Sequence, residues 1–356
     1  MKVEAVELNH FMLFEHLDAT FSPNINIILG KNNTGKTALI KLLYSCMKGY
    51  ANAHNSRGDI SKEKIKNCLV DKMQGVFRPD NYAIGRLVNR RQGSNRAEIH
   101  LHFSNGHDLE FAFGNRQEKN IELMGEILEI GKANPIYIPP KEIISSTENF
   151  GALYDQYQIA FEETYYDLAR LLERPLRKGA NTAEQNQIMS NFEGIVQGNI
   201  VQRDRKFYLK VKGQGEFEMG LVSEGYRKLS TIMYLILSGS LSGDAILFWD
   251  EPETNINPKM IKPIVDAIIE LAKMGVQVFV TTHDYFVQQS FDMAARYQPK
   301  GKNSLRYNFI SLFEDGSKIR YENAFCLDDL THNAVMEEFD DLYNREQGLI
   351  YDNRGK

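Results

Sequence analysis

The residues GKNNTGKT, from Gly30 to Thr37, have the types and spacing of a phosphate-binding loop. They match the pattern G-x-x-x-x-G-K-[ST], in which backbone N–H groups turn inward around a phosphate chain. Lys36 would reach the β- and γ-phosphates of ATP, the Thr37 hydroxyl would hold Mg²⁺, and a following helix would add its positive end. The predicted ATP-binding residues are Gly30, Lys31, Asn32, Asn33, Thr34, Gly35, Lys36, Thr37 and Ala38.

A second candidate group is the pair of acids that ends the apolar run AILFWDEP. Adjacent carboxylates at the end of a buried strand are costly unless a cation or a substrate compensates them. Asp250 would bind Mg²⁺ through water, and Glu251 would orient or deprotonate the attacking water. The alternative is a solvated pair of acids that opens a turn, and the phosphate loop makes that alternative weaker.

A third polar strand end is His283, in VFVTTHD. A single histidine in this position is more often a structural residue than a catalytic one. Because two other strand ends already carry phosphate and metal chemistry, we interpret it as a donor to the γ-phosphate or to the attacking water. Glu251 and His283 are thus the predicted catalytic residues, and Thr37 and Asp250 the predicted metal ligands.

The elements around these motifs predict an α/β protein. NINIILG is an apolar run that ends in glycine, and Leu39, Leu42, Leu43 and Cys46 then follow helical spacing. Strand, helix and strand follow one another from AILFWDE to VQVFVTTHD, with Asn257 as the helix N-cap and Pro258 at its first position, which predicts a parallel βαβ unit. Alternating runs around Asn105-Gly106 predict a hairpin.

The region between these two zones is predicted to be mostly helical. A single helix is expected along the apolar stripe Leu153, Tyr157, Phe161, Thr164, Leu168 and Leu172. The predicted divisions are 1–138 for the first part of a nucleotide-binding lobe, 139–243 for an inserted helical lobe, and 244–356 for the second part. The predicted fold is therefore a P-loop NTPase with a mixed central sheet, an antiparallel β part and an inserted helical lobe.

Composition limits the remaining classes of protein. A formal net charge of −5 argues against coating nucleic acid or a membrane through bulk positive charge, and no apolar run reaches the length of a membrane span. The three cysteines include no CxxC pair, and no histidine stands at zinc-ligand spacing from them. A reduced, cytoplasmic setting is the simplest interpretation.

The order of the motifs resembles that of an ABC-type ATPase, since VSEGYRKLS stands where that superfamily carries its LSGGQ signature. The wording of LGKNNTGKT, LVSEGYRKL and LFWDEPETNINP resembles the soluble SMC, RecF and overcoming-lysogenization-defect (OLD) ATPases, particularly the OLD-like ATPases of bacterial antiviral systems. In such ATPases two heads sandwich two nucleotides. The resemblance implies a homodimer or higher oligomer in which Ser223 and Gly225 contact the γ-phosphate held by the partner.

Several assignments within the resemblance depart from the family pattern or stay open. Glu224 replaces a glycine, so we expect it to bind ribose, backbone or a basic group, with Arg227 or Lys228 supplying the cation. Asn255 and Asn257 correspond to the D-loop. The Q-loop residue would be Gln74 or Gln92, and Lys141, in YIPPKE, is carried as a nucleotide-binding candidate against the simpler alternative of a surface lysine.

Two functions follow from the resemblance. The first is an ATP-driven switch for a separately encoded effector protein, a nuclease or toxin, in antiphage defence. The alternative is a RecF/SMC-like ATPase that binds DNA in repair or maintenance. The arginines of GRLVNRRQGSNR would meet nucleic acid, a subunit or only solvent, and the C-terminal helix with Val335, Phe339 and Leu342 would dock an effector or cap the sheet.

Overall fold

The computed structural model describes residues 1–56, 59–91, 93, 95–125, 131, 133–157, 159–178, 182–299, 301 and 304–354. The strands are β1 (Val3–Phe11), β2 (Phe14–Thr20), β3 (Ile25–Gly30), β4 (Arg96–Phe103), β5 (Asp108–Gly114), β6 (Glu122–Met124), β7 (Asn134–Ile138), β8 (Gly198–Arg203), β9 (Lys206–Val211), β10 (Gly215–Glu218), β11 (Ala245–Asp250), β12 (Gln277–Thr281), β13 (Tyr307–Asp315) and β14 (Lys318–Ala324). The α-helices are α1 (Lys36–Asn55), α2 (Lys62–Phe77), α3 (Phe150–Tyr157), α4 (Glu163–Leu172), α5 (Ala183–Val196), α6 (Glu224–Leu237), α7 (Ile261–Lys273), α8 (Tyr285–Tyr297) and α9 (Ala334–Arg354).

The central sheet has six strands in the order β14-β13-β3-β12-β11-β7. All neighbouring pairs are parallel except β13 and β14, so the sheet is mixed, as predicted. The carboxyl ends of β3, β11 and β12 meet at one edge, with Asp250 opposite Thr281. This edge is where the chain continues into the phosphate loop, the paired acids and His283.

The second sheet is antiparallel, in the order β2-β1-β4-β5-β6, and contains the hairpin predicted around Asn105-Gly106. It packs with α1 and α2 against one face of the central sheet, in a core that includes Ile28. Ile27 and Leu29 point into the second core, on the opposite face, as the two-residue period of a strand requires. The predicted helical positions Leu39, Leu42, Leu43 and Cys46 are all buried in the first core.

The apolar stripe that predicts one helix after residue 150 is divided between two. α3 ends at Tyr157 and α4 begins at Glu163. Leu153, Tyr157 and Phe161 are 44–64% exposed, whereas Leu168 and Leu172 are buried. The single-helix prediction is wrong because the spacing continued across a break that periodicity alone does not reveal.

The rest of the inserted region is a small antiparallel sheet, β10-β9-β8, with α5 and α6 packed into the second core. The segment KFYLKVKGQGEFE forms the antiparallel pair β9 and β10. In the part of the chain that the structure describes, no helix is long and apolar enough to cross a membrane.

Candidate active site

The phosphate loop joins the carboxyl end of β3 to the start of α1 and depends on two glycines. Gly30 has φ 145°, and a Cβ there would lie 2.3 Å from the Leu312 carbonyl oxygen. Gly35 has φ 96°, and a Cβ there would lie 2.5 Å from the Phe14 ring. Both positions combine a left-handed backbone with close packing, so glycine is required at each.

Lys36 lies within this loop. Its ammonium donates to the carbonyl oxygens of Gly30 at 2.8 Å and Lys31 at 2.9 Å. Burial lowers the Lys36 pKa, and the nearby Glu251 and Asp250 oppose that effect. Lys31 pairs with Glu337 at 3.4 Å on the outer side of the loop.

The other predicted loop residues differ in exposure. The Thr34 hydroxyl donates to the Lys31 carbonyl at 2.9 Å and so closes the loop internally. Asn32 and Asn33 are exposed, and Thr37 and Ala38 are half-buried. The loop therefore offers its outer rim to a ligand while Thr34 and Lys36 stabilise it from inside.

Asp250 is only 2% exposed and lies at the centre of a hydroxyl cluster. Its Oδ1 accepts from Thr37 at 3.0 Å and from Thr281 at 2.5 Å, and its Oδ2 accepts from Tyr137 at 2.9 Å. Burial raises the Asp250 pKa, which the three hydroxyl donors partly oppose. A buried carboxylate beside a threonine hydroxyl at the mouth of a phosphate loop is a donor set that suits Mg²⁺.

Glu251 follows directly and has φ 46°, which turns the chain away from the strand direction. Its N–H is held by the Thr281 carbonyl at 3.2 Å and the Thr281 hydroxyl at 3.1 Å. Its carboxylate lies 3.2 Å from Nδ1 of His283. The hydrogen bond from His283 lowers the Glu251 pKa, and the same contact raises that of His283.

Glu253 is a third carboxylate at this edge, and it was not predicted from the sequence. Its side chain is 7% exposed, and Oε1 accepts from the Thr282 hydroxyl at 2.6 Å and the His283 N–H at 3.2 Å. Its Oε2 is buried without a hydrogen-bond partner, and burial raises its pKa. The spacing D-E-P-E was the available signal, together with the Thr-Thr pair before His283.

The start of α6 carries the predicted signature residues. Ser223 is the exposed N-cap, and its side chain makes no capping hydrogen bond. Gly225 is buried, and a Cβ there would lie 3.1 Å from Met260. Within the described ranges, no hydrogen bond or ion pair joins the start of α6 to the phosphate loop. The chain therefore does not bring these two parts of the predicted site together by itself.

Glu224 and the two cations of the signature contact their own chain. Glu224 Oε1 lies 3.5 Å from Asn255 Nδ2, and Arg227 pairs with Glu142 at 2.6 Å. Lys228 is buried and donates to the carbonyls of Pro252 at 3.0 Å and Thr254 at 2.8 Å. In this structure both Arg227 and Lys228 hold α6 to its own chain, and the expectation that one of them supplies the cation stays a prediction.

Gln74, Gln92 and Lys141, the residues considered for contact between the nucleotide and the helical lobe, differ in their surroundings. Gln74 is buried and donates to backbone carbonyls of Tyr82 and Glu118, away from the phosphate loop, so it is not the Q-loop residue. Gln92 lies outside the described residues. Lys141 is exposed, whereas the neighbouring Glu142 makes the contact to Arg227.

A cleft of about 630 Å³ lies beside Asn33 of the phosphate loop. Met12, Leu13, Val88 and Ile319 give it apolar walls. Arg86, Arg90 and Arg91 of the predicted basic cluster line this cleft, and three of the cluster's four arginines are paired. These pairs are Arg91 with Glu15, Arg86 with Asp80, and Arg96 with Glu122.

The C-terminal helix α9 begins near the same loop, through Glu337 and Lys31. The ring of Phe339 packs edge-on against that of Tyr285, with the ring centroids 4.8 Å apart. Tyr285 follows His283 by two residues. Phe339 and Leu342 are 47% and 55% exposed, whereas Val335 on the same side of α9 is half-buried.

The chain matches a family model described as "AAA domain, putative AbiEii toxin, Type IV TA system" over residues 25–287. It is 30% identical over 99 residues to the DNA replication and repair protein RecF of Ligilactobacillus salivarius, covering 28% of this chain and 22% of that protein. It is 24% identical over 176 residues to Structural maintenance of chromosomes protein 6 of Dictyostelium discoideum, covering 46% of this chain and 14% of that protein. The chain thus spans well under half the length of these relatives.

Among solved structures, the fold resembles an SmcHead bound to the C-winged helix domain of ScpA. The TM-score is 0.57 at 13% identity, covering 92% of this chain and 99% of that one. A second Smc head domain, bound to the C-terminal domain of ScpA derived from Pyrococcus furiosus, gives a TM-score of 0.53 at 12% identity and covers 96% of this chain and 99% of that one. At these identities the likeness shows a shared fold.

Proposed function

The chain is an ATPase of the AAA domain family matched over residues 25–287, and from that premise we propose that it hydrolyses ATP between two copies of itself. The observation that carries the proposal is the meeting of Thr37, Asp250, Glu251 and His283 at one edge of the central sheet. The residues proposed to bind phosphate, to bind the metal and to act as the base therefore lie next to one another. The domain divisions 1–138, 139–243 and 244–356 are part of this proposal.

Thr37 and Asp250 would hold Mg²⁺ at this edge. When bound, the ion would neutralise charge on the β- and γ-phosphate oxygens. Tyr137 and Thr281 hold the Asp250 carboxylate in place, as residues behind metal ligands commonly do. Their hydroxyls also reduce the cost of burying that carboxylate when the site is empty of nucleotide.

Glu251 is the proposed general base. Its pKa is lowered by His283, so its carboxylate is ionised and able to accept a proton from water at neutral pH. His283 would then donate to the γ-phosphate or the water. Lys36 would leave the two loop carbonyls for the β- and γ-phosphates, which are stronger acceptors.

We propose that the second half of the site comes from the partner copy. Ser223 is exposed with an uncommitted hydroxyl at a helix N-terminus, which favours an anionic ligand from outside the chain. Gly225 would permit close approach, and Asn255 and Asn257 would read the opposite site. Glu224 would stay with Asn255 rather than face the phosphate. Lys141, exposed at the entry to the helical region, is retained as a nucleotide contact.

The cellular role that we propose is RecF-like or SMC-like work on DNA. RecF and SMC proteins are among the curated relatives that this chain resembles. The family description, which names a putative AbiEii toxin of a toxin–antitoxin system, keeps the defence switch and its separate effector as a second candidate.

The Glu251→Gln variant tests the catalytic part. The amide keeps the size of the side chain but cannot act as a base, so we expect ATP binding to remain and turnover to fall by roughly 10²- to 10⁴-fold. Size-exclusion chromatography should show an ATP-dependent dimer. Glu270→Gln, at a half-buried acid in the last turn of α7, is the matched control and should hydrolyse ATP normally. Fast hydrolysis by Glu251→Gln would show that the base is another residue.

The same trapped variant separates the two cellular roles. A DNA-binding ATPase should bind duplex DNA only with ATP, with log affinity falling linearly against log salt. Adding Ser223→Arg, which blocks the proposed interface, should abolish both the dimer and DNA binding. If the ATP-bound dimer does not bind DNA and instead binds one protein encoded by a neighbouring gene, the defence switch is the better proposal.

A further inference from the structure

Two histidines and an aspartate converge on the outer face of the antiparallel sheet. His100 and His102 are alternate residues of β4, so both point to the same face, and Asp108 of β5 is paired with His102 in register. His102 Nδ1 lies 2.9 Å from Asp108 Oδ1, and His100 Nε2 lies 3.4 Å from Asp108 Oδ2. One ligand atom from each residue lies within 4.8 Å of the other two.

These separations match the spacing of ligand atoms around a small metal ion. With bonds of about 2.0–2.1 Å, neighbouring ligands of a tetrahedral ion lie roughly 3.3 Å apart. The two imidazole centroids are only 4.0 Å apart, so a shared cation between their nitrogens requires little movement. The three side chains are 28–49% exposed, which leaves a coordination position open to water.

Neighbouring charge favours a cation here. The strand register places Glu7 of β1 and Glu110 of β5 on either side of His100. Directly paired residues of an antiparallel sheet face the same side, so both carboxylates flank the triad. No lysine or arginine is paired in register with His100 or His102, whose partners are Glu7, Glu110, Ala5 and Asp108.

We propose that His100, His102 and Asp108 bind a divalent transition-metal ion of the zinc class. Imidazole nitrogen suits Zn²⁺, Ni²⁺ or Cu²⁺, whereas Mg²⁺ and Ca²⁺ prefer oxygen ligands. The ion would link β4 to β5 and stabilise the hairpin. The site is separate from the proposed Mg²⁺ site and does not depend on the proposed function. This site contains no cysteine, and its two histidines follow the two-residue period of a strand.

The test is a Zn²⁺ titration of the full chain by calorimetry after dialysis against EDTA. His100→Ala, His102→Ala and Asp108→Asn should each weaken one Zn²⁺ site by at least about tenfold, since each removes a ligand of that site. His16→Ala, which removes an exposed histidine of β2 in the same sheet, is the matched control and should bind as the wild type does. Unchanged affinity in the three variants would overturn the site.

A second measurement separates ligand loss from misfolding. Zn²⁺ should raise the thermal midpoint of the wild type and of His16→Ala, because binding to the folded state stabilises it. The triad variants should share the wild-type midpoint in EDTA and lose the rise with Zn²⁺. Equal rises in wild type and triad variants would also overturn the proposal, as would no rise in the wild type.

Discussion

Replacing Lys228 by methionine tests how the signature helix α6 is tied to the turn after β11. Lys228 is 2% exposed, and its ammonium donates to the carbonyls of Pro252 and Thr254. Burial lowers its pKa from 10.5 to about 8, although Glu224 and Glu253 oppose the shift. The folded protein therefore binds the proton on the Lys228 amine less tightly than the unfolded chain does.

The sign and size of the effect follow from proton linkage. Between pH 8 and 10.5 the unfolded chain keeps this proton while the folded protein has lost it, so the free energy of unfolding rises with pH. From pH 7 to pH 10 this single group should add roughly 2–3 kcal/mol. Methionine has a similar length and no proton to exchange, so Lys228→Met should lack this rise.

The assay is urea unfolding of the wild type and two variants at pH 7 and pH 10. The difference in free energy of unfolding between wild type and Lys228→Met should change by roughly 2–3 kcal/mol across this range, since other titrating groups cancel. Lys259→Met, which removes an exposed lysine nearby, should follow the wild type at both pH values. Parallel behaviour of wild type and Lys228→Met would refute the pKa and the buried contact.

Further predictions concern the remaining buried contacts. Lys72 pairs with Glu163 and Asp167 while almost fully buried, so Lys72→Met should lower the free energy of unfolding by roughly 3–5 kcal/mol in urea titrations; a loss below about 1 kcal/mol would contradict this. In NMR titrations the His283 pKa should lie above 6.5 and fall in Glu251→Gln, so the stabilisation from this pair is lost as pH rises through the folded value; an unchanged pKa would contradict the pairing. Gly35→Ala, whose Cβ meets Phe14, should weaken ATP binding at least about tenfold in equilibrium dialysis, whereas Gly106→Ala in the open hairpin turn should not.

The sequence predicted the central sheet and the family, and both are confirmed. Buried strands without alternation, each ending in a polar residue, indicate parallel strands whose carboxyl ends share an edge. The family match over residues 25–287 confirms an ATPase with an AAA domain, and the fold resembles that of Smc head domains. The antiviral resemblance is not confirmed, and the site assignments remain predictions.

The division of the helical region, and the residues that hold Asp250 and Arg227 in place, could not be predicted from the sequence. The stripe from Leu153 to Leu172 keeps helical spacing although α3 ends at Tyr157 and α4 begins at Glu163. The spacing of apolar residues indicates which side is buried, and it does not indicate where a helix ends. Tyr137 and Glu142 were missed for another reason. Their roles arise from contacts with Asp250 and Arg227, 113 and 85 residues away in the chain, and such pairs leave no local pattern.

Glu224, Arg227 and Lys228, which lie at and just after the position of the LSGGQ signature, share one role. In VSEGYRK, Glu224 contacts Asn255, Arg227 contacts Glu142 and Lys228 binds the turn that follows β11. These three residues thus join α6 either to the entry of the helical region or to the turn after β11. A partner phosphate at Ser223 would act on a helix fixed at two places to its own active site. Nucleotide bound in one copy would then bear directly on the position of Glu251 and Glu253 in the other, through Pro252 and Thr254.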